Sequence, residues 1–195
     1  MTETLPEYRV DRPVSYLGID FSLASTGYAL VSVNGGAITR TIKTDSKWPL
    51  ADRLVKIADE IVGFIQENRP AAVAAEAMAH AKFGTSAIGQ VHGAAQYAFA
   101  KAGISWPVYV HPATLKKFAT GSGACDKGDI KLYVFKRWGA EIRSGDEADA
   151  YTMARLIGAL HGGFPAELEY DKDCLKAVQK LGANVTALRG VAAAR

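Results

Sequence analysis

Apolar and polar residues alternate or cluster in ways that divide the chain into short strands and longer helices. After a polar opening with Pro6 and Pro13, Val14–Asp20 reads VSYLGID, an apolar run of strand length that ends on an acid. YALVSV (28–33) and AITRTIK (37–43) follow, separated by Asn34-Gly35-Gly36, and Asn-Gly between two such runs marks a hairpin. Three opening strands in an antiparallel meander are therefore predicted. Pro49 stands where a helix would begin. Leu50, Leu54, Ile57, Ile61 and Ile65 then repeat at 4, 3, 4 and 4, one face of an amphipathic helix that must stop before Pro70.

AAVAAEA (71–77) reads as a fourth, central strand closing on Glu76, and PVYV (107–110) as a fifth. Residues 86–102 place Ile88, Val91, Ala95 and Ala98 on one helical face. Further helices are predicted over 112–119, 127–138 and 146–161, the first two joined by the glycine-rich TGSGACDKG. Leu175, Val178 and Leu181 mark one short helix. The domains predicted are an arm over 1–13, a globular α/β unit over 14–162 with a five-stranded mixed sheet flanked by helices, and a tail over 163–195.

Composition narrows the class. The chain has 195 residues, 49% hydrophobic and 22% charged, which suits one globular domain and excludes wholesale disorder. Its longest apolar stretches fall short of the ~20 residues that span a bilayer. The N-terminus lacks the basic start and apolar run of a secretory signal, so a cytoplasmic protein without membrane association is expected. Cys125 and Cys174 form no metal-type pair or disulfide framework. A net charge of +3 excludes a histone-like polycation and leaves room for a local basic face.

Four acids occupy unusual places. Asp20 and Glu76 close apolar strands. Asp146 and Asp149 open the last predicted helix at an i, i+3 spacing, and Met153, Leu156 and Leu160 continue the stripe of Asp149. Carboxylates directed towards a core are costly unless paired, hydrogen-bonded or bound to metal, and hard oxygen ligands suit Mg²⁺ or Mn²⁺. Three of them also have a plain reading, Asp20 as a strand-to-turn acid, Glu76 as a surface acid and Asp146 as a helix cap, whereas Asp149 shares its stripe with Met153. Glu147 lies about 100° off this face and is expected to be solvated. His80, His92, His111 and His161 show no metal spacing, although His80 lies close enough to Glu76 to enter a site.

Residues 111–137 carry Lys116, Lys117, Lys127, Lys131, Lys136 and Arg137 against Asp126 and Asp129, a local +4 between the proposed ligands. A cationic stretch beside a metal site points to a polyanion, most simply nucleic-acid phosphates. Gly121, Gly123 and Gly128 would let backbone approach a phosphate.

Taken together, GIDFSLASTGYAL (18–30), the Glu76 strand, GQVHGAAQ (89–96), LKKFATGSGACDKGD (115–129) and DEADA (146–150) resemble the RuvC family of Holliday junction resolvases in order and spacing, over roughly 14–160. The resemblance implies a ribonuclease H-like fold and metal-dependent nicking of branched DNA in symmetric pairs, leaving 5′-phosphate and 3′-hydroxyl ends. It implies Asp20, Glu76, Asp146 and Asp149 as ligands to two Mg²⁺ about 4 Å apart, replaceable by Mn²⁺. Lys127 and Lys116 would act on phosphate charge, with Lys117, Lys131, Lys136 and Arg137 as further DNA contacts. No small-molecule cofactor is implied. The family works as a homodimer through the helix near 86–101. Its aromatic wedge would fall at Ala79, with Phe83 displaced by four residues, and the arm and tail lack a counterpart; a phage-type relative in a bacterial cell would suit these departures. Alternatives are a non-catalytic junction-binding module and a related nuclease acting on RNA or an RNA–DNA hybrid. An ATPase of the actin and sugar-kinase group needs a second subdomain for which the length leaves no room.

Overall fold

The computed structural model describes residues 13–78, 85–104 and 107–192, with backbone alone for Thr85, Ser86, Lys127 and 181–192. The chain runs β1 (Ser15–Asp20), β2 (Ser25–Ser32), β3 (Ala37–Lys43), α1 (Leu50–Asn68), β4 (Ala72–Glu76), α2 (Thr85–Lys101), β5 (Val108–Val110), α3 (Pro112–Thr120), α4 (Lys127–Trp138), α5 (Gly145–Leu160) and α6 (Glu169–Ala192). The strands form one mixed sheet in the order β3-β2-β1-β4-β5. The first three are antiparallel, as the Asn34-Gly35 turn predicts; Gly35 takes φ +93°, open to glycine at no steric cost. β4 and β5 join parallel to β1 by helical crossovers.

Strand alternation gives the sheet two distinct faces. Leu17, Ile19, Val73 and Ala75 pack with Ile57, Ile61 and Ile65 of α1 and with Val91, Ala95 and Ala98 of α2. Ile88, expected on that inward face, is exposed in the first turn of α2. On the other face, Tyr16, Ala29, Val31 and Ala74 pack with Met153, Leu156 and Ile157 of α5 and with α3 and α4. Pro49 precedes the first turn of α1, and Arg69 ends the helix in the left-handed region ahead of Pro70.

Glycines seat α5 on the sheet. A Cβ on Gly18 would stand 2.6 Å from the Ala154 amide nitrogen and 2.8 Å from Met153 Cβ, so only a bare backbone allows this approach. Gly158 lies against Tyr16 and Phe164 in the same way. Successive contacts place Gly158 over Tyr16, Ala150 and Ala154 over Gly18, and Asp146 over Gly27, the register partner of Asp20. The helix thus runs back along β1 and delivers its N-terminus to the end where β1 closes.

The region read as a tail differs from expectation. Residues from Glu169 onward form α6, a 24-residue helix whose Cys174 and Val178 enter the core. The short helix expected from Leu175 and Val178 is longer and docked, its inward stripe being Asp171, Cys174, Leu175 and Val178; the stripe opens on an acid, which reads as solvated until Arg137 meets it. Asp171, 1% exposed, is anchored by both oxygens to the Arg137 guanidinium at 2.9 and 3.1 Å.

Candidate active site

Two acids reach the same sheet end by strand alternation. Asp20 follows Tyr16 and Gly18 on the α5 face of β1, and Glu76 follows Ala72 and Ala74 on the α5 face of β4. The parallel register pairs Ile19 with Ala75, so the next step sets Asp20 beside Glu76. Asp20 is 6% exposed; Glu76 is half-buried.

Two further acids come from the start of α5. Ser144 is the N-cap, its side chain accepting the Glu147 amide at 3.1 Å, and this fixes the first turn that carries Asp146. A Cβ on Gly27 would stand 2.9 Å from Asp146 Cβ, which places Asp146 directly over the register partner of Asp20. Asp149 follows one turn later, towards Ala150 and Met153, which cover Gly18. Ser25, at the start of β2, donates its hydroxyl to Asp146 Oδ2 at 2.7 Å.

The fold therefore brings the four predicted acids to one end and one face of the sheet. Among the described residues no group of three or more His, Cys, Asp or Glu side chains is already gathered as a metal site, so the convergence is one of backbone positions. In chemical kind the donors fit a hard divalent cation: all four are carboxylates, and no cysteine or histidine of the described residues joins them by motif. His92 is buried, packs on Phe21 and Tyr109, and is held by desolvation below the usual histidine range. His111 caps α3, its Nδ1 accepting the Ala113 amide at 3.3 Å, and His161 stacks on Tyr16. His80, Ala79 and Phe83 lie outside the described residues, as does any wedge they would form.

Residues 16–156 match the family model of the crossover junction endodeoxyribonuclease RuvC. The chain belongs to the RuvC family. It is 36% identical over 151 residues to the crossover junction endodeoxyribonuclease RuvC of Parvibaculum lavamentivorans, covering 73% of this chain and 86% of that one. It is 31% identical over 147 residues to the RuvC of Zymomonas mobilis, covering 71% and 87%. Its fold is similar to the Thermus thermophilus RuvC structure, with a TM-score of 0.64 at 24% identity, covering 77% of this chain and 98% of that chain. A structure of T. thermophilus RuvC in complex with Holliday junction substrate matches with a TM-score of 0.64 at 23% identity, covering 77% of this chain and 97% of that chain. The fold expectation, a ribonuclease H-like five-stranded mixed sheet flanked by helices, holds. No described helix is long and apolar enough to cross a membrane. Helix α6 lies beyond the segment that the RuvC family model matches.

The basic residues divide by their partners. Lys116 donates to the Cys125 carbonyl at 2.9 Å, tying the two ends of the glycine loop together. Lys127 opens α4, and Asp129 accepts the Asp126 amide at 3.1 Å just before it. Lys117 pairs with Asp173 of α6 at 3.1 Å. Lys131 donates to the Arg143 carbonyl at 3.1 Å, and the Lys136 ammonium sits 5.6 Å from the Tyr133 ring centroid. Arg137 departs from its expected role as a DNA contact. Its guanidinium binds Asp171 of α6, donates to the Phe118 carbonyl of α3, and stacks 4.7 Å from the Trp138 ring centroid of its own helix. It is a packing residue because Asp171 enters the core and needs a cation.

Glu147 also corrects expectation. It is 6% exposed, and its two oxygens accept hydroxyl bonds from β3, Oε1 from Thr41 at 2.8 Å and Oε2 from Thr39 at 2.9 Å. The helix wheel gives its angle correctly, but that side of α5 faces Thr39 and Thr41 of the edge strand β3. Ser25, Thr39 and Thr41 were not evident as site residues in the sequence. The one signal is that Thr39 and Thr41 alternate on a strand and so share a face.

Proposed function

We propose that this protein is a metal-dependent endonuclease that nicks four-way DNA junctions in symmetric pairs, leaving 5′-phosphate and 3′-hydroxyl ends. The observation that carries the reading is that Asp20 and Glu76 close adjacent parallel strands while the start of α5 sets Asp146 over Gly27, the register partner of Asp20, in a chain of the RuvC family. Asp20, Glu76, Asp146 and Asp149 would hold two Mg²⁺, with Mn²⁺ as a substitute. Bound there, the ions would lower the pKa of a water and offset charge on the phosphoryl oxygens.

The protein's own groups set the rest of the chemistry. Burial of Asp20 keeps its carboxylate in a low-dielectric setting where charge interactions are strong. Lys116 bonds across the glycine loop, and Lys127, the first residue of α4, would supply a cation for the phosphate. Lys131 and Lys136 on α4 supply contacts to the strand that carry no sequence information. On α2 the stripe Gly89, Gly93 and Tyr97 faces outward, with nothing within 4 Å of a Cβ on either glycine. That stripe suits the proposed homodimer, and a two-fold dimer matches a two-fold junction.

The test is cleavage of a labelled synthetic junction with Mg²⁺, Mn²⁺ or EDTA, beside linear duplex, fork and RNA–DNA hybrid. Paired, ligatable nicks confined to the junction and lost in EDTA are expected. Equal cutting of forks would make it a general debranching nuclease, and tight binding without cleavage would make it a binding module.

A further inference from the structure

Glu147 has no place in the proposed chemistry, yet it is among the few acids buried in the fold. A buried carboxylate is costly unless hydrogen-bonded, and here two threonine hydroxyls meet both of its oxygens. An apolar side chain facing two valines would fill the space with no polar group to satisfy, so stability alone does not account for the arrangement. What the polar contacts add is direction. Thr41 pairs with Gly27, Gly27 with Asp20, and Asp20 neighbours Glu76, so a single row across the sheet runs from the Glu147 anchor to two of the acids.

Glu147 lies between Asp146 and Asp149 in sequence and about 100° around the helix from Asp146. Fixing it to β3 fixes the rotation of the first turn of α5 about its axis. With side-chain ends about 6 Å from a helix axis, a rotation of about 10° moves a carboxylate by about 1 Å. Ligand sets tolerate roughly 0.5 Å before function suffers. Ser25 adds a direct bond to Asp146 Oδ2 at 2.7 Å.

We propose that Ser25, Thr39 and Thr41, acting on Asp146 and Glu147, form a positioning brace that sets the α5 acids for divalent-metal binding. The inference rests on the metal reading of the four acids. None of the three hydroxyl residues touches substrate in this scheme; they act through the acids.

The test is direct Mn²⁺ binding to the DNA-free protein by calorimetry, with the thermal midpoint recorded alongside. Thr39→Val/Thr41→Val keeps β-branched side chains on β3 and removes both donors. Its Mn²⁺ dissociation constant should rise about tenfold or more, the scale seen for outer-sphere hydrogen-bond partners of metal ligands. Thr39→Ser/Thr41→Ser should restore binding to near wild type, because it returns the hydroxyls. Should the valine pair not fold, Thr41→Val alone decides between the same outcomes. Wild-type Mn²⁺ affinity in a folded valine variant would overturn the brace and leave the metal reading standing. No Mn²⁺ binding by the wild type would overturn the metal reading and the brace with it.

Discussion

Gly27 and Asp146 touch across the sheet–helix interface so closely that a Cβ on the glycine would lie 2.9 Å from the aspartate's own Cβ. The contact crosses more than a hundred residues of sequence and sets the start of α5 over Gly27, the register partner of Asp20. Gly27→Ala should push the start of α5 off β2. Overpacking of this kind costs about 1–3 kcal/mol, so a lower thermal midpoint and a loss of junction cleavage out of proportion to any loss of junction binding are expected. Calorimetric melting and gel cleavage together check this, and full cleavage by the alanine variant would show that α5 has freedom the contact denies.

Arg137 and Lys136 are adjacent in sequence and should behave oppositely. Arg137→Ala leaves Asp171 buried without its cation, which costs about 3–5 kcal/mol for a broken buried pair. Chemical denaturation should therefore show a large destabilisation. Lys136→Ala should leave stability nearly unchanged and lower the slope of log binding constant against log salt by about one charge. The same salt titration applied to Lys131→Ala should give a similar decrement. An unchanged slope in both lysine variants would remove α4 from the DNA surface.

Cys174 reports on whether α6 is docked. Burial pushes its thiol up from 9.0 to about 11. The folded protein therefore keeps this proton at a pH where the unfolded chain has lost it. The associated stability is fully present below pH 9 and is lost as pH rises from 9 towards 11. Near neutral pH a haloacetamide should label the half-exposed Cys125 and spare Cys174 until the protein unfolds. Mass spectrometry of the labelled native protein decides this, and equal labelling of both would mean that α6 leaves the body readily.

Much of this architecture is legible in the chain. The 4, 3, 4, 4 repeat from Leu50 to Ile65 becomes α1, and Asn34-Gly35 becomes the hairpin turn. Asp20 and Glu76 are conspicuous because acids rarely close apolar strands, and Asp146 and Asp149 because they share a stripe with Met153. The parts that escape are those decided by distant partners. Glu147 reads as solvated until Thr39 and Thr41 of β3 meet it, and Arg137 reads as a phosphate contact until Asp171 arrives from α6. In each case a charged side chain has its partner 34 or more residues away, so no local pattern signals it.

Lys116 bonds across the glycine loop that precedes Lys127. Its ammonium holds the Cys125 carbonyl across the glycine loop, so Lys116→Ala should loosen the approach to Lys127. Single-turnover cleavage should slow by about 10²-fold or more, the scale of losing one preorganised electrostatic contact, with junction affinity changed much less. Lys116→Arg, which keeps the charge but not the reach of the single ammonium contact, should recover only part of the rate. A normal rate in Lys116→Ala would free the loop from any part in positioning Lys127.

Asp20 and Glu76, at the ends of β1 and β4, are proposed to serve hydrolysis and not to hold the junction. This role is tested most directly by single-turnover junction cleavage in Mg²⁺, comparing wild type with Asp20→Asn and Glu76→Gln, with junction affinity measured on the same preparations. Symmetric nicking by the wild type, no detectable nicking by either variant, and junction affinities close to wild type are expected. Wild-type cleavage rates in either folded variant would contradict it.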